Sequence, residues 1–112
     1  MIEMRLYALQ RLTAMVMAPL VLVHLVLIVY AVQGGLTADE ILARTQGNVF
    51  WALFYGLFVV AAAVHAPIGL RNVLREWTPL GRRSIDWLML AFAGLLLVLG
   101  FRAVVAVVGV AP

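Results

Sequence analysis

Three stretches of this chain are apolar for about 20 residues or more: Leu12 to about Val32, about Val49 to Leu70, and about Ile85 to Val110. About 20 apolar residues in a helix cross a hydrocarbon core of about 30 Å. The first two stretches hold no Arg, Asp or Glu, and beyond its first turn the third is interrupted only by Arg102. Gln33-Gly34-Gly35 closes the first stretch, and Thr78-Pro79-Leu80-Gly81 separates the second from the third. Both are breaker sequences. The pattern predicts an all-α integral membrane domain over residues 1–112, with spans at about 12–32, 49–70 and 85–110 and no internal repeat.

Composition excludes the soluble alternatives. Of 112 residues 66% are hydrophobic and 12% charged, and mean hydropathy is +1.11. A soluble domain averages about 45–50% apolar and about 25% charged residues. A chain this small leaves roughly a third of its surface exposed on folding, too much to hide such a composition from water. A soluble enzyme, a nucleic-acid binder and a disordered chain are therefore excluded, and membrane lipid is the solvent. Cysteine is absent, so the chain carries no disulfide, thiolate haem ligand or iron–sulfur cluster of its own. The first span follows Arg5 and Arg11 as a signal peptide would, but its apolar run exceeds the roughly 7–15 residues of a signal core and no clear cleavage site follows. It is expected to be retained.

Charge orients the spans. All eight basic residues are Arg, against five acids, giving a net charge of +3. Arg5 and Arg11 precede the first span, and Arg71, Arg75, Arg82 and Arg83 lie in the second connection. The first connection holds only Arg44. Basic residues accumulate on the cytoplasmic side of a membrane. The amino terminus and second connection are thus expected to be cytoplasmic, with the first connection and carboxyl terminus outside. Within the first connection, Thr37-Ala38-Asp39-Glu40 fits a capping box. It predicts either a short interfacial helix at about 38–45 or a polar loop.

The two histidines, His24 and His65, both fall inside spans. An ionisable group at membrane depth usually faces a partner, a cavity or a cofactor, and neutral imidazole is a common haem ligand. A lone histidine of this kind fits a hydrogen bond to a neighbouring helix. Two, with little else polar around them, favour a cofactor. His24 lies about 20 Å inward from Arg11 and His65 about 9 Å inward from Arg71. One iron cannot take both if those arginines mark the same interface. Either two haems are held, each completed by another subunit, or one histidine alone is a ligand.

In His65-Ala66-Pro67-Ile68-Gly69-Leu70-Arg71, Gly69 lies one turn from His65 on the same face. It serves either the approach of a flat ring or close helix packing. Arg71 and Arg75 are placed for haem propionates or for interfacial anchoring. Pro67 removes a backbone donor and is expected to kink its helix. Arg102, about 24 Å along the third span from Asp86, either snorkels outward or meets the propionates of an outer haem.

These residues resemble a known family. Gln10-Arg11-Leu12-Thr13-Ala14 is similar to the His-Arg-x-Ser/Thr-Gly signature that opens the first span of succinate dehydrogenase cytochrome b subunits. His65-x-x-x-Gly69-x-Arg71, followed by Glu76, resembles their second-span signature. The chain looks like the C-type membrane anchor of succinate dehydrogenase or fumarate reductase. The resemblance implies a non-catalytic electron-transfer subunit of a succinate:quinone oxidoreductase in the inner membrane of a bacterium. Such a subunit binds one or two haem b groups shared with a second hydrophobic subunit. It holds the iron–sulfur and flavoprotein subunits and passes electrons between clusters and quinone. His65 matches the family's haem-ligand position, and Arg11 an arginine at the quinone pocket and propionates. Tyr7, Gln10 and Ala14 stand where the family often has Ser, His and Gly. His24 resembles the first-span ligand of two-haem members. The alternatives are a haem-free anchor of the same complex and an unrelated small transporter or channel subunit. A proton-coupled transporter would be expected to hold a carboxylate within the membrane, whereas Glu3, Asp39, Glu40, Glu76 and Asp86 all fall at span ends or in loops.

Overall fold

The computed structural model describes residues 2–109. With no water to satisfy its amides inside a bilayer, an apolar chain must close its hydrogen bonds within itself. The described residues accordingly form four helices and no strand: α1 (Ile2–Gly34), α2 (Ala38–Thr45), α3 (Val49–Trp77) and α4 (Arg82–Val108). Helices α1, α3 and α4 are long and apolar enough to cross a membrane. The predicted end of the third span, Val110, lies outside the described residues.

Each long helix starts before or runs past its apolar stretch. The 33 residues of α1 reach about 50 Å, so its first turns, Ile2 to Arg11, project beyond a hydrocarbon core. Both α1 and α3 continue through internal prolines, Pro19 and Pro67, and Pro67 is fully buried.

Helix α3 is the centre of the bundle. It packs against α1 and against α4, while α2 packs on α4. Most of the buried side chains belong to α3: Phe54, Ala61, Ala63, Pro67, Ile68 and Arg71. Helix α1 buries only Thr13 and α4 only Ile85. Close contact rests on small residues, as is usual where lipid removes the hydrophobic drive between helices. A Cβ at Gly100 of α4 would lie 2.5 Å from Cγ1 of Val59 on α3.

The short helix is as the capping box predicts. Thr37 Oγ1 accepts from the Glu40 amide at 3.2 Å and donates to Glu40 Oε1 at 2.7 Å. Gly35 leaves α1 with φ +125°, a backbone state open to glycine, and its carbonyl accepts from Arg44 Nη2 at 2.9 Å. Thr45 Oγ1 donates to the Val107 carbonyl at 2.6 Å, which lays α2 across the far end of α4. The opposite end of the bundle carries the start of α1, the end of α3 and the start of α4.

Candidate functional site

His65 faces α1. Its Nδ1 lies 3.1 Å from Thr13 Oγ1, which in turn reaches the carbonyls of Leu9 at 2.7 Å and Gln10 at 3.1 Å. One turn toward the charged end, the Gln10 amide covers Gly69: a Cβ there would sit 3.4 Å from Gln10 Nε2. The room over Gly69 is therefore taken by a side chain of this same chain, and Gln10 Oε1 is buried without a partner.

His24 occupies a different level. Its ring meets Phe58 and Tyr55 edge-on, with centroids 5.5 and 6.1 Å apart, and its Nδ1 is buried without a hydrogen-bond partner. Two clefts of about 380 and about 370 Å³ adjoin it, sharing His24, Ile41, Thr45 and Tyr55. One runs on between α3 and α4, the other between α1 and α3, and α2 roofs both. Phe58 and His65 are about 10 Å apart along α3, and Thr13 and His24 about 16 Å along α1. The contacts thus hold the two imidazoles at clearly different heights, in line with the depth arithmetic of the sequence.

The arginines divide by what they touch. Arg71 is buried, at 3% exposure. It pairs with Glu3 of α1 through two nitrogens, and its Nε lies 3.6 Å from Asp86 Oδ1 of α4. Arg75 joins Glu3 at 2.8 Å. Glu3 lies outside the apolar stretch. The Arg71 hydrogen bond, with the nearby charges of Arg71 and Arg75, holds its carboxyl down to about 2 against an ordinary 4.5. Arg71 and Arg75, expected at haem propionates or as plain anchors, are thus engaged in tying three helix ends together. Arg11 and Tyr7 share an exposed face of α1, Nη1 to Oη 3.5 Å, with the guanidinium 5.9 Å from the ring centre. Arg102 lies with Val98, Phe101, Val105 and Ala106, on the side of α4 away from Gly100, Ala103, Val104 and Val107, which line the His24 cleft. It is not brought to His24.

The sequence reading missed Thr13 as a partner of His65, the aromatic walls Tyr55 and Phe58, and the pairing of Glu3 and Asp86 with Arg71. The last carried a signal: all three charges sit at span ends that the topology brings to one side. Thr13 stood in the motif with nothing to show which helix it faced.

Among the described residues no group of three His, Asp or Glu side chains could cage a bare ion. His65 and His24 each offer a single imidazole, at separate levels of the bundle.

The helices and their interior define a multi-pass, all-α subunit of the membrane. Residues 1–100 match the profile of the succinate dehydrogenase/fumarate reductase transmembrane subunit, and the chain belongs to that family. No curated protein and no solved structure matches it.

Proposed function

We propose that this chain is a cytochrome b anchor of a bacterial succinate:quinone oxidoreductase, with His65 and His24 as axial ligands of two different haems. Each haem is completed by a ligand from a second hydrophobic subunit. The chain holds the iron–sulfur and flavoprotein subunits on the cytoplasmic face, where its amino terminus lies. Haem b, when bound, supplies a one-electron carrier between those clusters and quinone.

The observation that carries this reading is the state of the two imidazoles. His65 is held through Nδ1 by Thr13, which leaves Nε2 to coordinate, in the usual pattern of a haem or metal histidine. His24 is bordered by apolar clefts with a buried nitrogen still unpaired. A buried polar atom without a partner is costly in a finished fold, so the level of His24 fits a site that another group completes. In this reading His65 serves the haem nearer the charged end and His24 the farther one, which their difference in height supports. The exposed Tyr7–Arg11 pair contacts quinone. Gly69 leaves room for the Gln10 side chain, and Arg71 secures the bundle's end. Arg102 snorkels to the outer interface.

Reduced-minus-oxidised absorbance with quantified haem, measured on the purified complex, tests the proposal. Two b-type signals and co-purification of a flavoprotein are expected. A complex with its flavoprotein and no haem would leave a haem-free anchor, and a chain purified without a flavoprotein would remove the reading altogether.

A further inference from the structure

We propose that Thr13 is a positioning residue for His65: its hydroxyl sets which imidazole nitrogen is free to bind iron, and thereby tunes that iron. The inference rests on the reading of His65 as an axial ligand.

The number of protons available decides the direction of the bond. A threonine hydroxyl has one proton and two lone pairs. Around Thr13 Oγ1 stand the Leu9 carbonyl at 2.7 Å, the Gln10 carbonyl at 3.1 Å and His65 Nδ1 at 3.1 Å. The two carbonyls only accept. If the hydroxyl proton went to Nδ1, the hydroxyl oxygen would face the Leu9 oxygen at 2.7 Å with no proton between them. Thr13 is 8% exposed, so water does not relieve that repulsion. The proton therefore goes back along α1, as a helical threonine often directs it, and the hydroxyl oxygen accepts. Nδ1 must then be the protonated nitrogen, and in a neutral imidazole the lone pair is left on Nε2.

Fixing the tautomer also fixes the ring. Thr13 is β-branched and tied to its own helix turn, so its oxygen is a stationary acceptor. It sits on α1 while His65 sits on α3, and the bond sets the ring's angle across the helix contact. Among the described residues His65 has no other hydrogen-bond partner, and His24 Nδ1 has none at all. The two histidines thus differ in their second partner, and only His65 has an acceptor supplied by this chain. An acceptor on Nδ1–H makes imidazole a stronger donor to the metal through Nε2. Stronger donation favours the ferric state, so the bond should hold the potential of the His65 haem down.

The test uses the purified complete complex with Thr13→Val, which keeps the shape and removes the hydroxyl, Thr13→Ser, which keeps the hydroxyl, and His65→Ala. Haem content is followed against apomyoglobin as a scavenger, and the midpoint potential of each haem by redox titration. Thr13→Val should weaken retention of the His65 haem about 10–100-fold and move its potential positive, leaving the other haem unmoved. Thr13→Ser should restore both properties. A threonine that merely pins two helices would leave the potential of a retained haem where it was. Unchanged potential and retention in Thr13→Val, with haem lost in His65→Ala, overturn this inference and leave the assignment of His65 standing. Full haem in His65→Ala overturns the assignment itself. Should Thr13→Val fail to assemble, nitrogen-15 spectra of the histidine-labelled full chain in lipid decide. With His24 replaced by Gln, His65 should carry its proton on Nδ1, and a proton on Nε2 would refute the proposal.

Discussion

Arg71 of α3 and Glu3 of α1, 68 residues apart in the chain, form the ion pair that closes one end of the bundle. Arg71 is buried while Glu3 is about half exposed, and Asp86 of α4 stands on the guanidinium's other side. One buried cation thus joins all three long helices where their termini meet. Removing one partner of a buried charge is far more damaging than never having had the pair. Glu3→Gln is expected to lower the thermal midpoint of the chain in detergent, because the buried Arg71 then keeps only Asp86, and Arg71→Leu to lower it as well, because Asp86 loses its cation and Glu3 keeps only Arg75.

The same pair sets a pH dependence. Glu3 titrates at about 2 in the folded chain against an ordinary 4.5. A lowered carboxylate stabilises the fold fully above its ordinary value, and that contribution is lost as pH falls through the folded one. Between about pH 4.5 and about pH 2 the wild-type chain should lose stability more steeply than Glu3→Gln. Parallel thermal unfolding curves across that range would show that the pair contributes nothing.

Replacing each histidine should remove a different haem. An axial ligand changed to Ala leaves the iron a coordination position short, whereas a packing histidine loses only about 1–3 kcal/mol of polar contact. His65→Ala should abolish one b-type signal and impair reduction from the iron–sulfur clusters. His24→Ala should abolish another and spare the first. Loss of one and the same haem in both variants would contradict the separation in height, and full haem in His24→Ala would return His24 to a packing role.

Topology can be read by labelling. A cysteine at Asp39, on α2, should react with an impermeant reagent from outside, and one at Ser84, at the start of α4, should not. Trp77 and Trp87, both well exposed, would then flank the cytoplasmic interface as aromatic anchors. The reverse labelling would invert the assignment of sides.

The roof over the His24 clefts depends on its cap. Thr37→Ala removes the acceptor for the Glu40 amide and should weaken α2 by about 1 kcal/mol. Amide exchange at residues 38–45 should rise several-fold while α1 and α3 stay protected. Equal protection in the variant would mean that packing on α4, not the cap, holds α2.

Much of this architecture is written locally. The three apolar runs have one low-energy answer in lipid, because helix is the form that satisfies their amides without a neighbour. Thr37 and Glu40 specify the start of α2 for the same reason: cap and donor are three residues apart. Even the unequal depth of His24 and His65 follows from counting residues along the spans to Arg11 and Arg71. What the sequence leaves open is rotation, since each span is apolar all round and no stripe declares which face turns inward. Only the packed bundle turns Thr13 toward His65, sets Gln10 over Gly69, and directs Arg102 away from His24. Only there does Arg71 become a buried, neutralised clamp rather than a free interfacial cation. Apart from Arg71 and Asp86, the residues that meet in these contacts are more than 50 positions apart, and the contacts are decided where α3 meets both of its neighbours.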